Sequence, residues 1–527
     1  MLVNGIDSIG VNEYDGDDDD DDDDDRSSLA VTIFLLSIND IVKTIETLVN
    51  ANLFADDLNI LCRSSNLNTV QQLLQNSANN ITKWLNKTGF NISSQKSQSI
   101  IFTKKRKQGK LQIKIDNNII PNQNKIKILG VIFDTKLNWI PHLKYVKNSI
   151  TKKLNIIKII SHTSWGGETS TLLKIYRALI RSKTDYGSII FRTANPKHLK
   201  MIDVPLNTGI RLAIGAFKSS PIASLRNIAN EPSPDIRRTQ NNILYASRTL
   251  KNENNPAIKY IDNTNKEAEN LQINIKQIVP REPQTIPPWL MQINTNIEIT
   301  EYKKNNTNPN IYKNLFQEII QKYPDRKHIY TDASKTTDSV GIAIVAEKTI
   351  TTYKLPPECS IYTAEALEIY NATLHIIQNK DTTPNNYLVI SDSFSSITGI
   401  QNTTHPSDIS KLIQEKTHEA SGMGMDICYM WAPGHCGIQG NVKADLEASK
   451  AVSSPDTPLL NIYTHEDKKK QIKQVLNQKW LIQWINQHTK LNQIKNNIQT
   501  WKNPGLNRKE YGNHIKSSKN RPHFHHT

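Results

Sequence analysis

A chain of 527 residues has room for roughly two to four domains, and its net charge of +15 at pH 7 points to a polyanionic partner, nucleic acid first. Cys62, Cys359, Cys428 and Cys436 are scattered, with no Cys-x-x-Cys pair and no zinc-ligand spacing, which fits reduced thiols in an intracellular protein. The apolar stretch Leu29 to Ile38 is too short to span a bilayer and follows an acidic run, contrary to a secretory signal, so no membrane association and no secretion are expected, with nothing to separate nucleus from cytoplasm.

In chain order, residues 1–26 contain nine consecutive aspartates, Asp17 to Asp25, which repel one another and are expected to be disordered. Without these and Asp15 the remainder carries +25, ten more than the whole chain. Ile45 to Leu53 and Leu58 to Cys62 are apolar runs around Phe54-Ala55-Asp56-Asp57, which predicts a β-hairpin presenting two adjacent carboxylates at its turn. An Asp-Asp turn alone carries no chemistry. Further along come Trp84, Gly89-Phe90-Asn91-Ile92-Ser93, Lys96-Ser97 and Ile128-Leu129-Gly130-Val131. Residues 171–191 include Tyr176, Asp185, Tyr186 and Gly187, and residues 200–262 read as helices broken near Pro221, Pro232 and Pro234. Lys104-Lys105-Arg106, Arg181 with Lys183, and Lys468-Lys469-Lys470 are candidate contacts to a nucleic-acid backbone, although each by itself is most often a solvated face.

Together these segments resemble the reverse transcriptase of non-LTR (jockey-like) retrotransposons. The resemblance implies a partial palm over 27–140, a helical thumb-like region over 141–262, and a connector over 263–325, where Pro287-Pro288-Trp289 looks like the segment preceding the family's nuclease domain. It marks Asp56, Asp57 and Lys96 as a remnant polymerase site. Ser28 to Phe34 and Ile38 to Ile41 match the tail of the family's nucleotide-selecting helix, but its Gly-rich start is replaced by the acidic run. The strand bearing the first metal-binding aspartate has no counterpart before residue 27, so polymerase activity is expected to be absent. The connector, rich in Asn, Thr, Lys and Pro, is expected to have little core of its own.

Residues 326–452 carry the strongest pattern. Lys327 to Asp332, Ser339 to Glu347 and Lys348 to Leu355 are short apolar-rich runs that predict a β-meander, its first strand ending at Asp332. Ile361 to Gln378 has helical spacing and places Glu365 in its first turns. Tyr387 to Ile390 reads as a strand buried on both faces with Asp392 at its end. Asp426 to Trp431 gives a last strand, and Asn441 to Ala451 a last helix carrying Asp445. A single Asp at a strand end is usually a turn or cap residue. Four carboxylates brought to one point repel strongly and need cations between them, which favours a metal site acting on a phosphodiester.

Tyr330-Thr331-Asp332-Ala333-Ser334, Thr363-Ala364-Glu365, Ser391-Asp392-Ser393 and the run Gly434-His435 to Asp445 resemble type 1 ribonuclease H as carried by insect non-LTR retrotransposons. The resemblance implies an α/β fold, a ribonuclease H-like mixed five-stranded sheet flanked by helices, within a chain that is α+β overall. It further implies two Mg²⁺ ions, with Mn²⁺ as substitute, held by Asp332, Glu365, Asp392 and Asp445, and hydrolysis of the RNA strand of an RNA–DNA hybrid. One ion would lower the pKa of the attacking water and the other would stabilise the leaving 3′ oxygen. His435 would be the mobile histidine assisting proton transfer and product release. Val442 departs from the family pattern, where Glu is frequent, and is expected to weaken a supporting contact only. A nucleophilic dyad of His435 with its neighbour Cys436 is disfavoured, because adjacent residues seldom align so.

Beyond residue 452, Ile472, Val475, Leu476, Trp480, Trp484 and Ile485 recur at helical spacing and predict an amphipathic packing helix. The expected extension, 453–527, closes in a disordered end bearing His523, His525 and His526. The expectation is thus a hybrid-specific endoribonuclease joined to an incomplete polymerase. The rival from another class is an inactive nucleic-acid-binding remnant, and an integrase-like nuclease for duplex DNA is a third reading.

Overall fold

The computed structural model describes residues 2–3, 6–8, 23–106, 109–162, 165–276, 278–279, 286–302, 308–379 and 385–500. Two compact units divide the chain, one running to Ala229 and the other from Asn230 to Thr500. The acidic run before Asp23 and the C-terminal histidines lie outside the described residues.

In the first unit, strands Val49–Phe54 and Asp57–Cys62 pair antiparallel, Phe54 opposite Asp57. The two-residue turn is Ala55-Asp56, with Ala55 in the left-handed region at φ 51°. Leu58 and Ile60 point from this hairpin into a core shared with Leu74, Ala78, Ile81 and Leu85 of helix Leu67–Thr88. That helix starts on the Asn66 side chain, which accepts from the Asn68 amide, and stops at Gly89 in the left-handed conformation. A second hairpin, Lys125–Ile128 with Val131–Asp134, turns through Leu129 and Gly130 at φ 44° and 81°, the positive pair that suits the twist of a tight hairpin. Helices Ile140–Ile160, Pro196–Ile214 and Ile222–Ala229 follow, the last two separated near Pro221. Parts of the tail expected to be disordered are ordered here: Leu2–Val3 and Ile6–Ser8 add to the edges of Asp57–Cys62 and Phe90–Ile92, and helix Asp23–Ile38 includes the last three aspartates. Open strand edges supply the backbone partners that the tail's composition does not advertise.

The second unit is built on a six-stranded mixed sheet. Its strands are β1 (Asn294–Asn296), β2 (Lys327–Lys335), β3 (Val340–Val345), β4 (Ile350–Leu355), β5 (Asn386–Ser391) and β6 (Asp426–Trp431), in the spatial order β1-β6-β5-β2-β3-β4. β2, β3 and β4 form the antiparallel meander, whereas β1, β6, β5 and β2 run parallel. The unit's longer helices and the short one following β5 are α1 (Pro234–Thr249), α2 (Pro309–Ile320), α3 (Ile361–Gln378), α4 (Phe394–Gln401), α5 (Asp408–Gly422), α6 (Gln439–Ser453) and α7 (His465–Ile485), with Asp262–Glu269 and Lys490–Ile494 as further short helices. The expected mixed sheet flanked by helices is present, with one strand more than the five anticipated.

Alternation along β5 and β6 divides the core. Tyr387, Val389, Ile427 and Tyr429 face α3, α4 and α5, while Leu388, Ile390, Cys428 and Met430 meet Tyr312, Phe316 and Ile319 of α2. Three expectations need correction. The first strand does not end at Asp332 but continues to Lys335, because Asp332 to Lys335 keep pairing with Val340 to Ala343 of β3. The stretch read as a connector with little core supplies the edge strand β1 and the covering helix α2, since β6 would otherwise leave one edge and one face open. The segment read as one thumb-like region divides at Ala229, because Ile236, Ile243 and Ala246 of α1 pack on Ile472, Leu476 and Trp480 of α7. That contact accounts for Ile472, Val475, Leu476 and Trp480 of the expected stripe, whereas Trp484 is buried with its indole on the Lys495 carbonyl and Ile485 is exposed. All four cysteines are free thiols. Among the described residues no helix is long and apolar enough to cross a membrane.

Candidate active site

β2 and β5 lie side by side, with Thr331 opposite Ser391, so Asp332, still paired within β2, and Asp392, just past the end of β5, stand at the same level. Asp332 is buried at 8% exposure, and one of its oxygens accepts from the Ala333 amide at 2.8 Å. Glu365 comes from the first turns of α3, whose cap is the Ser360 side chain accepting from the Thr363 amide. The Ser393 hydroxyl donates to Glu365 Oε2 at 2.6 Å and ties it to the loop that begins at Asp392. Asp445 arrives on α6, which lies across β2 and β3. It can approach so closely because residue 341 is glycine: a Cβ there would strike the Ala448 carbonyl of α6.

These four carboxylates are electrostatic neighbours. The Asp332 carboxyl is pushed up to about 7, first by burial and then by the charges of Asp392, Asp445 and Glu365, against the stabilising Ala333 amide. Burial also raises Glu365, and Asp392 adds to the effect while the Ser393 hydroxyl opposes it. The donor set, four carboxylates and nearby hydroxyls, has the all-oxygen character that hard divalent cations prefer. Among the described residues no three of His, Cys, Asp and Glu are drawn in to the spacing of a formed metal centre. The cluster therefore has the charge and donor chemistry for a cation while its carboxylates stand apart.

His435 occupies a loop between β6 and α6, with φ at 62° and its side chain 80% exposed. Its Nδ1 lies 3.7 Å from Asp445 Oδ2. The preceding Gly434 packs directly on Asp392, where any Cβ would collide with the Oδ2 atom. On the other side the Trp431 indole donates to the Asp392 carbonyl at 2.9 Å, and the exposed Phe394 ring meets Trp431 edge to face at 5.9 Å. Cys436 is buried beneath the loop, its thiol directed at the Gly434 carbonyl rather than at His435. Val442 is half exposed on α6.

One acidic residue of this region has no place in the motif pattern. Glu368, one turn after Glu365, is fully buried and accepts from Thr331 Oγ1 at 2.9 Å and Ser391 Oγ at 3.1 Å, while its Oε2 has no partner. Burial foremost, then the charge of Asp332, raises its pKa well above the usual carboxylate range. It staples β2 to β5 one residue below Asp332 and Asp392. Within Leu367-Glu368-Ile369 it reads as a solvent-facing helical glutamate, and only the flanking Thr331 and Ser391 hydroxyls betray it.

In the first unit, Asp56 sits in the hairpin turn and Asp57 opens the second strand. Burial, and then Asp56, raise the Asp57 pKa. Lys96 lies in the loop after Phe90–Ile92, its amide donating to Ser93 Oγ at 3.3 Å. The Tyr186 hydroxyl donates to the Leu129 carbonyl at 2.5 Å, and Lys183 lies over both the Tyr145 and Tyr186 rings.

Residues 27–133 match the family profile of reverse transcriptase (RNA-dependent DNA polymerase). The probable RNA-directed DNA polymerase from transposon X-element of Drosophila melanogaster is 26% identical over 162 residues, which are 31% of this chain and 18% of that protein. The match thus spans less than a fifth of that relative's length. Among solved structures, RNase H1 from the halophilic archaeon Halobacterium salinarum NRC-1 is 18% identical, covering 24% of this chain and 96% of that one, with a TM-score of 0.18. LC11-RNase H1 in complex with an RNA/DNA hybrid is 16% identical, covering 24% of this chain and 97% of that one, with a TM-score of 0.19. Over residues 27–133 this chain is reverse-transcriptase-like, and it is similar to retrotransposon proteins.

Proposed function

We propose that the second unit is a ribonuclease for RNA–DNA hybrids, cutting the RNA strand within a retrotransposon-derived chain. The observation that carries this reading is the Asp332 carboxyl, held up to about 7 by burial and by three further carboxylates from one strand end and two helices. Such a cluster is costly in a folded protein unless a bound cation offsets it. Asp332, Glu365, Asp392 and Asp445 would hold two Mg²⁺ or Mn²⁺ ions, which supply an activated water and charge neutralisation at the phosphate.

The chain's own groups divide the remaining work. Ser393 orients Glu365, Glu368 fixes the levels of Asp332 and Asp392, and Gly434 brings its loop against Asp392. His435 stands exposed at the rim beside Asp445, where an imidazole can accept a proton and, once protonated, return it near the leaving group. The basic excess of the chain supports binding through phosphates, and a hybrid would be read by groove shape and 2′-hydroxyls rather than by sequence.

The test is cleavage of an end-labelled RNA–DNA hybrid by the whole chain with Mg²⁺ or Mn²⁺. The expected result is cutting of the RNA strand alone, lost in Asp332→Asn. Salt-sensitive binding without cutting by folded protein would replace this reading with a catalytically inactive nucleic-acid-binding remnant, and cutting of duplex DNA would replace it with the integrase-like alternative.

A further inference from the structure

Helix α7 lies beyond the region that carries the carboxylates, yet its first turn is fastened to the first turn of α3. Thr464 caps α7, its hydroxyl accepting from the Asp467 amide at 3.1 Å, while Asp467 Oδ2 accepts from the Thr464 amide at 3.3 Å and hydroxyl at 2.6 Å. The same carboxylate reaches across to α3. Its Oδ1 accepts from the Ser360 amide at 3.0 Å, and its Oδ2 from the Thr363 hydroxyl at 2.7 Å. One carboxylate, 3% exposed, therefore serves the N-termini of two helices at once. Both helix ends favour a negative charge there, so the arrangement is electrostatically coherent.

Neighbouring contacts repeat the connection. The Gln471 amide donates to Glu358 Oε1 at 2.8 Å, Lys468 donates to Gln471 Oε1 at 2.9 Å, and the Cys359 thiol donates to the Ile462 carbonyl at 3.3 Å. Lys468 is fully buried over the Tyr463 ring. Every one of these groups lies between Glu358 and Thr363 or between Ile462 and Gln471. They hold the start of α3, and Glu365 lies two residues past Thr363 with its carboxylate on Ser393.

Resting on the ribonuclease reading, we infer that Asp467 is a positioning residue for Glu365, and that the segment from Thr464 onward is a working part of the nuclease unit. Without the Asp467 carboxylate the Ser360 amide and Thr363 hydroxyl lose their acceptor, the first turn of α3 loosens, and Glu365 leaves the position set by Ser393. The loss falls on cation binding rather than on substrate affinity.

The experiment compares the whole chain with Asp467→Ala, Asp467→Asn and Thr363→Val, and with Gln474→Ala on the exposed face of α7 as a control. Mn²⁺ binding is read by electron paramagnetic resonance, hydrogen exchange is followed over 360–368, and hybrid cleavage is measured against Mg²⁺ concentration. Asp467→Ala is expected to weaken Mn²⁺ binding by about tenfold or more, the usual scale for a partner behind a metal ligand. Faster exchange over 360–368 and an equal rise in the Mg²⁺ needed for half-maximal cleavage should accompany it, with the KM for hybrid unchanged. Asp467→Asn, which keeps an oxygen for Ser360, should fall between, and with Thr363→Val it decides the matter if Asp467→Ala does not fold. Unchanged Mn²⁺ affinity in a variant whose melting temperature drops would overturn the inference and leave a purely structural clasp. Wild-type protein that binds Mn²⁺ in this Asp467-dependent way but cuts no hybrid would retain the inference and sink the ribonuclease reading instead. A wild-type chain that binds no Mn²⁺ would sink both.

Discussion

Asp56-Asp57 and the Asp332 cluster both set carboxylates near one another, and they are built in opposite ways. The first pair hangs on a single two-residue hairpin turn, with the exposed Phe54 beside it. The second gathers one residue from each of two parallel strand paths and two helices, with a fifth acid buried underneath. The turn leaves Asp56 exposed, and Asp57 is raised by its own burial and by that one neighbour alone. The central strands of a helix-covered sheet bring carboxylates near one another in a low-dielectric setting, so the same residue type acquires a shifted proton affinity and a need for counter-charge. Environment separates a cap from a candidate catalyst here, and Asp332 shows it through its raised pKa.

The widest separation between the two sites should appear in hybrid cleavage. Asp332→Asn is expected to lower the rate by at least about a thousandfold, which corresponds to losing roughly 4 kcal/mol of transition-state stabilisation. Asp56→Ala should leave cleavage unchanged in the same assay, and an equal loss in both would break the comparison. A second contrast lies in pH. Asp332, Glu365 and Glu368 all have folded-state pKa values above their unfolded ones, so the folded state binds more protons. The Asp332 contribution is present below its unfolded value near 4 and is lost as pH rises through about 7, with Glu365 and Glu368 acting in the same direction. Metal-free protein should therefore melt at a higher temperature at pH 5 than at pH 8, with a difference on the order of a few kcal/mol, and millimolar Mg²⁺ should narrow it. Melting curves with and without Mg²⁺ that superimpose at pH 8 would argue against a cation at this cluster.

Glu368 sharpens the contrast further. Glu368→Leu leaves the Thr331 and Ser391 hydroxyls without their acceptor and should cost about 1–3 kcal/mol in urea unfolding, whereas Glu368→Gln keeps an acceptor oxygen and should cost less. Equal losses in the two variants would assign Glu368 to charge rather than hydrogen bonding. The smallest effect belongs to the turn. Asp56→Ala should change unfolding of the first unit by less than about 0.5 kcal/mol, because nothing is buried against it.

Much of the second unit is legible in the sequence, for a physical reason. Ile361 to Gln378 and Asp426 to Trp431 are found with the expected bounds, because their periodicity reflects burial on the faces they turn to the core. What escaped is what depends on distant partners. β1 is Asn-Thr-Asn, which carries no apolar signal and becomes a strand only because β6 offers an edge. α2 does carry a signal, Tyr312, Phe316 and Ile319 at helical spacing, but the polar residues around it mask the stripe. The positions of the four motif carboxylates were readable from their contexts, whereas Glu368 and Asp467 look like ordinary helical acids until the strands and helices that surround them are in place. Local patterns encode elements, and the support of a site is encoded in pairings between them.

The short strand β1 has a bearing on how this unit can be handled. It pairs Asn294, Thr295 and Asn296 with Cys428, Tyr429 and Met430 and so closes the outer side of β6. A fragment cut to begin at residue 326, the natural choice from the motifs, would bare a flat apolar strand whose amides and carbonyls are ready to accept a strand from another molecule. Such a fragment should self-associate as its concentration rises, while one that begins before Asn294 should remain dispersed, so three asparagine- and threonine-bearing residues act as the guard of the sheet's open side.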